Sequence, residues 1–180
     1  MLFWKLPNDK YLAFIPRHGS TAWGQAILDE FYPAESKKQS HAATPDGKRA
    51  GPQYFIPSDR RPKSGQLLGV MRDPIERFRS GFSRAANGRT VDQLIDDLLA
   101  NKDNPINIHI EPVSSLFEGY VNKMKWYHYE TGLENLATDI GLSEMPEIQN
   151  RSNPNEKPNL TDAQIVKLQT YYADDMALYQ

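Results

Sequence analysis

Apolar residues first cluster in the run Tyr11-Leu-Ala-Phe-Ile15, which has the length of a buried strand. From Ser20 the period changes: Trp23, Ala26, Ile27 and Phe31 recur at helical spacing, and Pro33 marks the stop. A second unit repeats that order. Leu67-Leu-Gly-Val-Met71 predicts a short strand and Arg72-Asp73-Pro74 a turn. Ile75, Phe78 and Phe82 then predict one buried helical face, with Arg77, Arg79 and Arg84 off it. Asp73 suits the N-cap and Pro74 the first helical position, where a missing N–H costs nothing.

Further along, Thr90-Val-Asp-Gln93 is a capping-box pattern opening a helix whose core side is Leu94, Ile95, Leu98 and Leu99. Asn107-Ile-His-Ile110 alternates as a short strand or extended segment does, and Lys125-Trp-Tyr-His-Tyr129 reads as an aromatic strand. Gly132 precedes a helix with Leu133, Leu136, Ala137 and Ile140 on one face. Thr161-Asp-Ala-Gln164 is another capping box, opening a last helix with Ile165, Leu168, Tyr172, Met176 and Tyr179. Strands alternating with helices predict one α/β domain over 1–180, a three-layer arrangement with a P-loop-like central parallel sheet flanked by helices. Residues 32–66 carry many Pro, Gly, Ser and charged residues around the strand-like island Gln53-Tyr-Phe-Ile56, and read as a mobile segment bordering a substrate.

Composition narrows the chemistry. A net charge of −2 over 180 residues gives no global field for nucleic acid or an anionic membrane. Between Glu35 and Lys63, however, seven basic residues face three acidic ones, a local excess suited to an anionic ligand or to a solvated loop. The absence of cysteine excludes disulfides, thiolate nucleophiles and zinc–thiolate sites. MLFWKLPNDK lacks the pattern of a signal peptide, and no stretch reaches the length of a membrane span, so the expectation is a cytoplasmic protein.

The two strand–loop–helix units carry the candidate chemistry. Helix N-termini beyond the carboxyl ends of strands are where open α/β sheets hold phosphates. In Arg17-His18-Gly19-Ser20-Thr21, Gly19 lets the backbone come close, and Ser20 and Thr21 offer hydroxyls and N-cap the helix. Arg72 leaves the second strand where its fork can meet a second phosphate, and Ser80 offers a hydroxyl in the following helix. The loop has one glycine and no lysine, so it is not the GxxxxGK[ST] cradle of a P-loop kinase.

Ile15 to Thr21, with Val70 to Phe82, resembles the sulfotransferases, especially the carbohydrate type. That family has a 5′-phosphosulfate loop of the form IPK-[TS]-G-[GST]-[TS] and a 3′-phosphate motif of the form VRDPxxRxxSxY/F. Here Met71 is inserted before Arg72. WYHYETGLENLATDIGL, Gln149-Asn-Arg-Ser152 and YYADDMALY are similar to later parts of the family. The resemblance implies a co-substrate, 3′-phosphoadenosine 5′-phosphosulfate, and transfer of its sulfuryl group to a hydroxyl or amine of a glycan or small-molecule acceptor. Such a transfer needs no metal, and net charge and hydropathy add the expectation of no nucleic acid and no membrane span. By the same resemblance Arg17, His18, Gly19, Ser20, Thr21 and Ala22 hold the 5′ end, Arg72 and Ser80 the 3′-phosphate, and Arg151 joins them. Arg17 stands where the family has lysine, which keeps the charge on the bridging oxygen but gives up proton donation. For the base, His41 and His109 occupy positions where the family carries histidines; Glu111 is a weaker candidate, His18 lies in the cradle, and His128 packs in the sheet. The competing readings are a P-loop-type nucleotide kinase and a non-catalytic nucleotide- or glycan-binding module.

Overall fold

The structure, a computed structural model, describes residues 2–39, 56–100, 107–147 and 157–180. These fall into two compact units. One comprises the described residues of 1–15, 19–70 and 123–149, the other those of 16–18, 71–122 and 150–180.

The first unit is built on a five-stranded sheet of order β3-β1-β2-β4-β5, formed by β1 (Phe3–Leu6), β2 (Lys10–Ala13), β3 (Ser58–Asp59), β4 (Gln66–Met71) and β5 (Met124–His128). β1 and β2 are a hairpin, registered from Phe3 against Ala13 to Leu6 against Lys10. Its turn places Asn8 at φ 59° and Asp9 at φ 54°, a backbone region that short polar side chains tolerate best. β1 also pairs antiparallel with β3, whereas β2 and β4 run parallel, with Tyr11 beside Leu67 and Leu12 beside Leu68. The α/β class therefore holds, but the sheet is mixed rather than parallel. So short a connection between β1 and β2 permits only an antiparallel pair, and parallel pairing begins where the crossover through α1 (Ser20–Phe31) intervenes.

Why the sheet closes well at β5 is a matter of one glycine. A Cβ at Gly69 would lie 2.3 Å from Cζ3 of Trp126, so the bare backbone there makes room for the indole. Trp4, Leu12, Trp23, Ile27, Leu28, Leu68, Tyr127 and Leu136 form the core, with Ile56 joining them. α1 stops at Phe31, and Pro33 opens α2 (Pro33–Gln39), the position proline fits best. Both α2 and β3 fall within the segment expected to be a loop; residues 40–55 of it, including Gln53, Tyr54 and Phe55, lie outside the described residues. α6 (Leu133–Ile140) starts after Gly132, as its spacing predicts.

The second unit is helical: α3 (Pro74–Ala85), α4 (Val91–Ala100), α5 (Val113–Leu116), α7 (Asp162–Tyr171) and α8 (Ala173–Tyr179). Phe78, Leu94, Ile95, Leu98, Ile110, Leu168 and Tyr172 form its core. The predicted helix starts are present. Asp73 accepts from the Glu76 N–H at 2.8 Å, and Thr90 with Gln93 and Thr161 with Gln164 exchange reciprocal capping bonds. Lys167 reaches Asp96 at 2.7 Å and Gln164 reaches Asp92 at 2.8 Å, linking α7 to α4. Three expectations change here. The last helix breaks at Tyr172 into α7 and α8; 107–110 is a turn rather than a strand; and Arg77, expected off the buried face of α3, is 1% exposed.

Candidate functional site

Parallel pairing brings the ends of β2 and β4 to one edge of their sheet, and each chain then runs into a candidate motif. After β2 the chain turns through Pro16, Arg17 and His18, with Arg17 at φ 70° and Gly19 at φ 73°. Glycine takes that conformation freely; for arginine it costs about 1–2 kcal/mol. Within the second unit this turn meets the start of α3. Arg72 Nη1 donates to the Arg17 carbonyl at 3.2 Å, and the Arg17 guanidinium donates to the Ser80 carbonyl. The two motifs of the sequence are thereby joined through Arg17, Arg72 and Ser80.

Arg72 is 7% exposed and Ser80 4% exposed. Of the two carboxylates nearest Arg72 in sequence, Asp73 caps α3 and Glu76 pairs with Arg79 at 2.5 Å. His18, expected in the cradle, is buried at 2% exposure.

In the first unit, Gly19 is the N-cap of α1, and no side chain caps the helix. Ser20 and Thr21 are its first helical residues, which corrects the expectation that they cap it. The Gly19 carbonyl accepts from the N–H groups of Ala22, at 2.9 Å, and Trp23, at 3.1 Å. The N–H groups of Ser20 and Thr21, in the first turn, have no intrahelical acceptor and lie at the positive end of the helix dipole. Thr21 is exposed and Ser20 half-buried.

His109 lies in the second unit with Arg17. Burial lowers the pKa of its imidazole, and the charges of Arg17, Arg84 and Arg77 lower it further. The ring is therefore neutral near pH 7, the form that accepts a proton. Its Nδ1 is buried without a hydrogen-bond partner. Its backbone N–H donates to Asn107 Oδ1 at 2.9 Å, and Asn107 in turn donates to the Arg84 carbonyl at 3.2 Å. Glu111, two residues on, has its carboxyl pKa raised by burial. A neutral base and several arginines in one unit suit an anion whose transfer releases a proton.

His41 and Arg151 lie outside the described residues. His128 is on β5, half-buried in the sheet of the first unit, as the aromatic alternation suggests. Spacing did not single out Asp175, it marked Tyr172 only as a periodic position of the last helix, and it misplaced Arg77. Arg77 and Tyr172 donate to carbonyls of the segment that carries His109, and Asp175 accepts from its N–H groups. The available signal was an arginine and an aspartate amid apolar neighbours, a pattern that periodicity assigns to a solvated face.

Among the described residues, no three His, Asp or Glu side chains are grouped as a metal site, and no helix is long and apolar enough to cross a membrane. Compared with protein-family models, with curated proteins and with solved structures, the chain gives no match in any of the three.

Proposed function

We propose that the chain is a sulfotransferase that moves the sulfuryl group of 3′-phosphoadenosine 5′-phosphosulfate to an acceptor hydroxyl, with a carbohydrate as the acceptor class. One observation carries the reading: Arg17 of the first motif bonds Arg72 and Ser80 of the second. The parallel pairing of β2 and β4 sets the two motifs side by side, and that arrangement suits motifs that serve one ligand. The N–H groups at the start of α1 are assigned to the 5′-phosphate, and Arg72 and Ser80 to the 3′-phosphate.

In the transfer, the acceptor oxygen attacks sulfur in line with the bridging oxygen. The new S–O bond forms as the bond from sulfur to that bridging oxygen breaks. His109 takes the acceptor's proton, and the electron pair leaves with the 5′-phosphate, where Arg17 offsets the developing charge. His109 is favoured as base because its Nδ1 is buried without a hydrogen-bond partner and burial, with the charges of Arg17, Arg84 and Arg77, keeps the ring neutral. The step needs no metal, since positive charge at the leaving oxygen comes from arginine.

Calorimetric titration with 3′-phosphoadenosine 5′-phosphate, 5′-AMP and ATP tests the reading. The 3′-phosphate is expected to raise affinity roughly tenfold or more over 5′-AMP, the scale of one charge-assisted hydrogen bond. Arg72→Ala is expected to erase that gain. Equal affinity for the three nucleotides, or a gain that survives in Arg72→Ala, overturns it.

A further inference from the structure

Seven residues, Ile108 to Ser114, carry His109 and Glu111 through a turn and into the short helix α5. No sheet ladder fixes this stretch. Its backbone is held instead by three buried side chains from α3, α8 and the junction before α8. Arg77 donates to the Ile108 carbonyl at 3.0 Å and to the Glu111 carbonyl. Tyr172 donates its hydroxyl to the Ile110 carbonyl. Asp175 accepts from the Val113 N–H at 2.7 Å and the Ser114 N–H at 2.8 Å.

All three are shut away from water: Arg77 and Asp175 are each 1% exposed and Tyr172 0%. A buried cation and a buried anion are expensive to keep, and apolar replacements are often as stable. Packing alone therefore does not account for them. Among the described residues, the backbone groups they bond lie in one segment, and that segment holds the proposed proton acceptor.

We propose that Arg77, Tyr172 and Asp175 are positioning residues that fix the backbone under His109 and hold its imidazole beside Arg17. The second arginine of the Arg72-to-Ser80 stretch then serves the base rather than a phosphate. Its guanidinium is turned to two carbonyls of the His109 segment. This inference rests on the proposed sulfuryl transfer for its catalytic meaning, while the placement itself is tested without turnover.

Two variants keep the core volume: Tyr172→Phe, which changes no charge near neutral pH, and Asp175→Asn. The first readout is the NMR titration of the His109 ring. Among the described residues, Arg17, Arg84 and Arg77 are the charges that act on it, and Glu111 follows two residues on in sequence. In both variants the midpoint is expected to rise toward the ordinary histidine value as the segment loosens and water reaches the ring. A midpoint unchanged in both variants, with the fold intact, overturns the proposal. This readout stands even if the 3′-phosphate gives no affinity, so the two readings fail separately.

The second readout is a double-variant cycle on turnover. Asp175→Asn is expected to lower kcat about tenfold or more with donor KM within about twofold, and to add almost nothing once His109 is Ala. Full additivity with His109→Ala overturns the proposal. Arg77→Lys, which keeps the charge and gives up the fork onto the Ile108 and Glu111 carbonyls, supplies the same cycle from α3.

Discussion

A Cβ placed on Gly81 would lie 2.6 Å from the carbonyl oxygen of His109. The same atom would stand 2.7 Å from Cγ2 of Ile110, a fully buried core residue. Gly81 is mid-helix, where glycine is otherwise unfavourable by up to about 1 kcal/mol relative to alanine. Its value is contact: only a bare Cα lets α3 approach the turn that carries His109. Gly81→Ala is therefore expected to destabilise by about 1–3 kcal/mol despite its better helix propensity, because neither backbone nor core can give way. Urea denaturation measures this. A variant as stable as the parent would mean that the turn yields freely and that the close contact is not a constraint.

His109 makes stability depend on pH with a definite sign. Burial, then Arg17, Arg84 and Arg77, hold its pKa below 6.5 in the folded state. As pH falls through 6.5 the unfolded chain takes up a proton that the folded chain refuses. The unfolded state then binds more protons, so stability declines through that window, down to the lowered folded value. Glu111 acts oppositely at lower pH, since burial raises its pKa above 4.5 and folding favours its protonated form. Denaturation midpoints taken between about pH 7.5 and 5.5 should fall with acidification, and His109→Gln should flatten the fall. An equal slope in that variant would place the titration elsewhere.

Legibility differed by kind of interaction. Helix starts were readable because their determinants are local: Asp73 with Pro74, Thr90 with Gln93 and Thr161 with Gln164 act within three residues of sequence. β1 was not read because Phe3, Trp4 and Leu6 are too few to establish a period, and its partner β2 supplies the pairing. Without β1 the sheet reads as parallel. The meeting of Arg17, Arg72 and Ser80 was anticipated as a pair of motifs but not as a set of direct bonds. Asp175 and Arg77 escaped because charge at a helical position reads as a solvated face, whereas here their partners are backbone groups distant in sequence. Periodicity has no term for such partners.

The capping box of α7 offers a local stability test. Thr161 accepts from the Gln164 N–H at 3.3 Å, while Gln164 Oε1 accepts from the Thr161 N–H at 2.9 Å. α7 has a weakly amphipathic sequence and buries only Leu168 and Tyr171, so its start depends more than most on the cap. Thr161→Ala should cost about 1 kcal/mol, and Thr161→Ser almost nothing. Chemical denaturation of the two variants side by side provides the comparison. Equal losses would show that the methyl group, not the hydroxyl, matters.

Arg17 permits the sharpest separation of backbone from charge. It sits at φ 70°, and alanine and lysine share the steric penalty of that region with arginine. Replacing it with either therefore leaves the backbone cost nearly constant, and differences between the two variants report the side chain. Lysine retains the positive charge and gives up the fork that reaches the Ser80 carbonyl. Under the proposed transfer, charge at the leaving oxygen is the requirement, so Arg17→Lys should hold turnover within about tenfold of the parent or raise it. Arg17→Ala should lower kcat by about 10²–10³, the scale seen when a single stabilising donor is removed. His109 supplies an independent check, because Arg17 depresses its pKa. Its ring titration should move up in Arg17→Ala and stay low in Arg17→Lys. Turnover unchanged in the alanine variant would remove Arg17 from the leaving-group step, whatever the histidine does.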